Sequence, residues 1–98
     1  MDRNGGQLLV ASLLALGARK SFGVPGESYL AVLDALHDTG GRLDYVLCRN
    51  EGGAAFMAAA YGKLTGQPGI CFVTRGPGAT NASIGVHTAM QDSAPMIL

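Results

Sequence analysis

Glu51 stands in the run Arg49-Asn50-Glu51-Gly52-Gly53, where an apolar, strand-like segment gives way to a helix made mostly of alanine. A carboxylate at such a seam is placed to meet a ligand, and the two glycines after it leave it open to anything that docks there. The competing explanation is structural. An acid in the first turn of a helix, behind Asn50 as N-cap, is favoured by the helix dipole by about 0.3–1 kcal/mol. Two further segments have the same character: Gly23-Val24-Pro25-Gly26-Glu27, and Arg75-Gly76-Pro77-Gly78-Ala79-Thr80-Asn81. Glycine in each could serve a tight turn, or could let a ligand approach the backbone closely.

Several chemistries are excluded by spacing. The Gly76-Pro77-Gly78 segment fails the dinucleotide fingerprint, because Asn81 occupies the third glycine position and no acid follows about 20 residues on. No glycine is followed by Lys-Ser or Lys-Thr, which removes a P-loop. His37 and His87 have no nucleophile paired with them in the pattern and read as helix-surface or core residues. Cys48 and Cys71 lie alone in apolar runs without a Cys-x-x-Cys spacing, so they read as small buried hydrophobes.

The elements that must carry these residues follow from periodicity. Leu9, Leu13 and Leu16 recur at helical spacing and Gly17 supplies a left-handed stop, predicting a helix over Gly6 to Leu16. A strand over Ser21 to Val24 is broken by Pro25-Gly26. Ser28 then caps a second helix with Tyr29, Leu33 and Leu36 on one face and a stop at Gly40-Gly41. Leu43 to Arg49 reads as a strand covered on both faces. Ala55, Ala58, Ala59 and Gly62 give the third helix a surface of small side chains, and Gly66 ends it. Gly69 to Thr74 reads as a third strand and Arg75 to Asn81 as a loop. Ala79, Ser83, Val86 and Met90 mark a fourth helix, and Pro95 to Leu98 opens a fourth strand.

Strands alternating with helices predict βαβ units and a doubly wound, parallel α/β sheet of about four strands with covering helices. In such a sheet ligands bind beyond the carboxyl ends of the strands, where all three glycine-bearing segments fall. The last strand has no helix after it, so residues 1–98 read as one truncated domain. Only 14% of residues are charged against 48% hydrophobic, which describes a piece buried against other protein. Seven basic residues balance seven acidic ones and are scattered, which argues against nucleic acid as a partner. No apolar run reaches the length of a membrane span and no leader opens the chain, so no membrane partner and a cytoplasmic location are expected.

The stretches Phe22 to Leu36 and Cys48 to Leu98 closely resemble the amino-terminal, pyrimidine-binding domain of thiamine diphosphate enzymes, in the branch of acetolactate synthase and related 2-oxo acid decarboxylases and carboligases. The signature is an acid at a strand end before a small-residue helix, then Thr74-Arg75-Gly76-Pro77-Gly78-Ala79-Thr80-Asn81, then Asp92-Ser93-Ala94-Pro95. By that resemblance Glu51 matches the glutamate that hydrogen-bonds ring nitrogen N1′ of the cofactor, where proton sharing makes the cofactor's own 4′-amino group the base that activates C2. Pro77 and Asn81 match residues lining the pyrimidine, Gly76 and Gly78 keep that wall thin, and Val24, Pro25 and Gly26 match the rim.

The chain departs from acetolactate synthase at Glu27, where that branch has glycine. Related decarboxylases often have an acid or a serine there, which makes Glu27 a candidate substrate-side proton donor or simply an acid near a helix start. The resemblance further implies a 2-oxo acid substrate and an active site formed across a homodimer or homotetramer. Mg2+ and the cofactor's diphosphate would be held by a carboxy-terminal domain whose Gly-Asp-Gly…Asn motif is absent from these 98 residues. Full-length members can carry FAD in a middle domain, and no residue here calls for one. The chain alone is therefore expected to be inactive. The other class of reading is a non-catalytic α/β fragment or split subunit that acts only by binding a partner.

Overall fold

The computed structural model describes residues 2–98. In chain order the elements are α1 (Gly5–Ala15), β1 (Lys20–Gly23), a 3-10 turn (Glu27–Tyr29), α2 (Leu30–Asp38), β2 (Asp44–Leu47), α3 (Glu51–Thr65), β3 (Gly69–Phe72), α4 (Gly76–Gln91) and β4 (Met96–Ile97). The strands form one sheet in the order β2-β1-β3-β4. Every pairing is parallel, with Phe22 opposite both Val46 and Cys71. This is the expected doubly wound α/β architecture. Ile70, Phe72 and Tyr45 pack with α1 and α2 on one face, and Phe22, Val46 and Cys71 pack with α3 and α4 on the other.

Local chemistry sets the helix ends. The Asn4 side chain accepts from the Gln7 amide while the Gln7 side chain accepts from the Asn4 amide, a reciprocal capping box that starts α1. Gly17, at φ 98°, ends it, with the Ala18 amide donating to the Leu13 carbonyl and the Gly17 amide to that of Leu14. Asn50 caps α3 as expected, its Oδ1 accepting from the Gly52 amide at 2.7 Å, and Gly66 closes that helix at φ 74°.

The alanine stripe of α3 is the middle of the molecule. Ala54, Ala55, Ala58 and Ala59 are buried, and Gly85 of α4 sits directly on Ala55. A Cβ at Gly85 would lie 2.8 Å from the Ala55 carbonyl carbon and 2.9 Å from the Phe56 nitrogen. Small residues on both helices therefore bring the two backbones together, with the start of α3 seated against the middle of α4.

Several sequence expectations are corrected. Leu9 and Leu16 do not share the buried face of α1; Leu16 is 82% exposed, and Gly6, Val10 and Leu13 are buried instead because α2 crosses close to Gly6. Strand β2 is less enclosed than expected: Tyr45 and Val46 pack on opposite faces but are only half-buried, and Asp44 and Leu47 at its ends are exposed, Leu47 to 65%, because β2 is the sheet edge. Ser28 does not cap α2, since its hydroxyl is engaged by Thr74. Tyr29 belongs to the 3-10 turn rather than to α2. Arg75 to Asn81 is not a loop. Pro77 in the first turn of α4 is preset for helical φ and lacks an amide hydrogen that would go unused there, so the helix begins at Gly76. The buried face of α4 is Gly78, Ala82, Gly85 and Ala89, one position away from the expected Ala79, Ser83, Val86 and Met90. The larger residues lost that contest because the approach to α3 admits only small ones.

Candidate functional site

Because all four strands run parallel, the segments after β1, β2 and β3 leave the same edge of the sheet. Glu51 is the first residue of α3, half-buried, on the turn directly after β2. Its Oε1 accepts a hydrogen bond from Asn81 Nδ2 at 3.1 Å. Its Oε2 faces Gly78, whose missing Cβ would lie 3.5 Å from that oxygen and 2.9 Å from Thr74 Cγ2. A side chain at residue 78 would stand against the carboxylate. Glycine there keeps the α4 backbone close to Glu51 without covering it.

Thr74 extends this cluster to the first loop. Its Oγ1 is 2.8 Å from Ser28 Oγ, and a Cβ at Gly26 would lie 2.7 Å from Thr74 Cβ. Gly26, Thr74, Gly78, Glu51 and Asn81 thus form one continuous line along the sheet edge. Below it, the Tyr29 hydroxyl donates to the Val24 carbonyl and accepts from the Tyr45 hydroxyl at 3.0 Å, and the Tyr29 ring stacks on Phe72. This fixes the exit of β1. Burial raises the Tyr29 phenol above its usual range; the Tyr45 hydrogen bond acts against that, while Cys71 and the Glu51 carboxylate add to it. Burial also raises the Tyr45 phenol, reinforced by Tyr29.

The other expected site residues are placed less tightly. Gly76 and Pro77 are exposed in the first turn of α4, and Pro25 is exposed just after β1. Glu27 is exposed at the start of the 3-10 turn, and among the described residues its carboxylate has no hydrogen bond or ion pair. His37 and His87 are exposed, and Cys48 and Cys71 are buried free thiols. Among the described residues there is no group of three or more His, Cys, Asp or Glu side chains that could hold a metal, and no helix long and apolar enough to cross a membrane. Thr74, Tyr29 and Tyr45 were given no site role from sequence. Thr74 opens the Thr-x-Gly-Pro-Gly motif, which was the available signal, whereas the tyrosines read as ordinary apolar face and strand residues.

A carboxylate thus stands at the carboxyl edge of a doubly wound sheet, walled by glycine-bearing backbone, which is where open α/β sheets bind their ligands. The chain belongs to the family described as the thiamine pyrophosphate enzyme, N-terminal TPP binding domain, which it matches over residues 3–98. It is 44% identical over 95 residues to the acetolactate synthase isozyme 3 large subunit of Escherichia coli strain K12, covering 97% of this chain and 16% of that one. The isozyme 2 large subunit of the same organism is 45% identical over 94 residues, covering 96% and 17%. Acetolactate synthase of Bacillus subtilis strain 168 is 44% identical over 97 residues, covering 99% and 17%. The chain therefore spans about a sixth of the length of these relatives.

Proposed function

We propose that these residues are the pyrimidine-binding part of a thiamine diphosphate-dependent carboligase or decarboxylase acting on a 2-oxo acid, with Glu51 as the group that activates the cofactor. The observation that carries the reading is the Glu51 carboxylate itself, held at the ligand edge with one oxygen bonded and the other against the bare backbone of Gly78. The fit is chemical as well as steric: a carboxylate can share a proton with a ring nitrogen, and glycine keeps its approach clear. When bound, thiamine diphosphate supplies the carbon nucleophile for the carbonyl of the 2-oxo acid.

The chain's own residues then divide the work. Glu51 holds a proton against the pyrimidine nitrogen. Gly76, Pro77 and Gly78 form a thin wall at the start of α4, and Pro25 and Gly26 form the opposite rim. Glu27, exposed and unpaired on that rim among the described residues, serves as proton donor on the substrate side. The diphosphate and Mg2+ are assigned to a second domain outside these 98 residues, the assembly to a homodimer or homotetramer, and the location to the cytoplasm.

The test is Glu51→Gln in the chain reconstituted with thiamine diphosphate, Mg2+ and a diphosphate-binding partner. Removal of a general acid–base group lowers 2-oxo acid turnover by about 100- to 10,000-fold. Unchanged turnover would overturn the catalytic reading. A second reading, a non-catalytic fragment or split subunit acting through a partner, is favoured by the exposed Phe56 and Met57 on α3 and Ile84 on α4. In that case partner binding survives Glu51→Gln and no turnover depends on it.

A further inference from the structure

The geometry points to Asn81 as the positioning residue that selects which oxygen of Glu51 works. Two contacts and one open oxygen carry this. Asn81 Nδ2 donates to Glu51 Oε1 at 3.1 Å, which occupies that oxygen. The Asn81 backbone is itself seated on the start of α3, since a Cβ at Gly52 would lie only 3.2 Å from the Asn81 carbonyl oxygen. Oε2, on the Gly78 side, is left without a donor among the described residues, so it is the oxygen free for the ring nitrogen.

The residue type is matched to the task. An amide gives an N–H without bringing a charge, so it fixes the carboxylate's rotamer while leaving its proton to be shared with the ligand. A lysine there would form an ion pair, and an aspartate would repel. Asn50, the nearest alternative amide, is committed to capping α3 through the Gly52 amide. Asn81 also lies one helical turn beyond Gly78, so the residue that clears space before Glu51 and the residue that orients it share one face of α4. Asn81 acts through Glu51 and not on the substrate.

This role rests on the thiamine diphosphate reading above, and two measurements separate the failure of one from the failure of the other. In the 98-residue chain, NMR of the Asn81 side-chain amide is compared with that of Glu51→Ala. The expected result is a downfield-shifted Nδ2 proton that moves upfield when the carboxylate is removed; an unchanged pair overturns the proposal whatever the cofactor does. In the reconstituted enzyme, Asn81→Ala lowers kcat by up to about 100-fold, the size of loss that follows a small misplacement of a reacting group. The dissociation constant for thiamine diphosphate rises by a smaller factor than kcat falls, because Asn81 is one of several residues lining the pyrimidine while the activating bond belongs to Glu51. Asn81→Asp, with the same shape and no N–H to donate, fails at least as badly. Asn81→Ala adds no further loss to Glu51→Gln, since the two act as a unit. Full additivity, or loss in Glu51→Gln with none in Asn81→Ala, overturns the positioning role alone. Unchanged kcat in Glu51→Gln overturns the functional reading and the role of Asn81 with it.

Discussion

The hydroxyls of Ser28 and Thr74 lie 2.8 Å apart, tying the turn after β1 to the residue two before α4. Glu27 sits on the first of these segments, and Gly78 and Asn81, which face Glu51, follow the second. The bond therefore links the segment that carries Glu27 to the segment whose Gly78 and Asn81 face Glu51. It is exposed, so its net worth falls at the low end for a neutral hydrogen bond, about 0.5 kcal/mol. Ser28→Ala and Thr74→Val should each destabilise the chain by that order, and the double variant should cost less than the sum. Urea unfolding of all four forms checks it; strict additivity would mean that the two hydroxyls are not coupled.

The same pair marks the boundary of what the sequence could tell. Asn50, Gly17 and Gly66 were legible because capping and helix termination are local: each is decided within a few residues of its own position. Ser28 has the composition of a cap too, yet a hydroxyl 46 residues away won it. Nothing in a linear pattern distinguishes those outcomes. Glu51 was legible as a candidate because it joins a strand end, a helix start and two glycines. Its partner Asn81, 30 residues on, was read only as part of a wall, since pairing across two helices depends on how closely Gly85 lets them approach. The edge position of β2 was hidden for a similar reason. Apolar periodicity tells that a strand is buried somewhere, while strand order is fixed by the crossovers.

Gly85 offers a test in which two effects of opposite sign compete. Alanine is favoured over glycine inside a helix by about 1 kcal/mol. At Gly85, however, a Cβ would press on the Ala55 side chain and on backbone atoms of Ala55 and Phe56, which cannot rotate away. Overpacking of this kind costs about 1–3 kcal/mol, so Gly85→Ala should be net destabilising. Gly53, in the first turn of α3, has nothing within 4 Å of a Cβ, so Gly53→Ala should be neutral or stabilising. Thermal unfolding should show a lowered midpoint for Gly85→Ala and an unchanged or raised one for Gly53→Ala. A stabilised Gly85→Ala would mean that α3 and α4 are less closely packed than their backbones indicate.

The alkaline limb of stability is set by buried acids that the site does not use. Burial pushes the Cys71 thiol up to about 11 from an ordinary 9.0, with smaller pushes from Cys48 and from the Glu51 carboxylate. Between pH 9 and pH 11 the unfolded chain therefore releases this proton while the folded chain keeps it. Fewer protons are bound in the unfolded state, so stability is complete below pH 9 and declines as pH rises toward 11. Tyr45 and Tyr29, also raised by burial, extend the decline above pH 10. Urea midpoints at pH 8, 9, 10 and 11 should fall progressively. Cys71→Ala should lower stability at every pH, because the Cys71 side chain is fully enclosed in the core between β3 and α3, but it should flatten the fall between pH 9 and 10. The thiol should also resist alkylation in the folded chain at pH 8, since only the thiolate reacts. An equal slope in Cys71→Ala would assign the alkaline loss to the tyrosines instead.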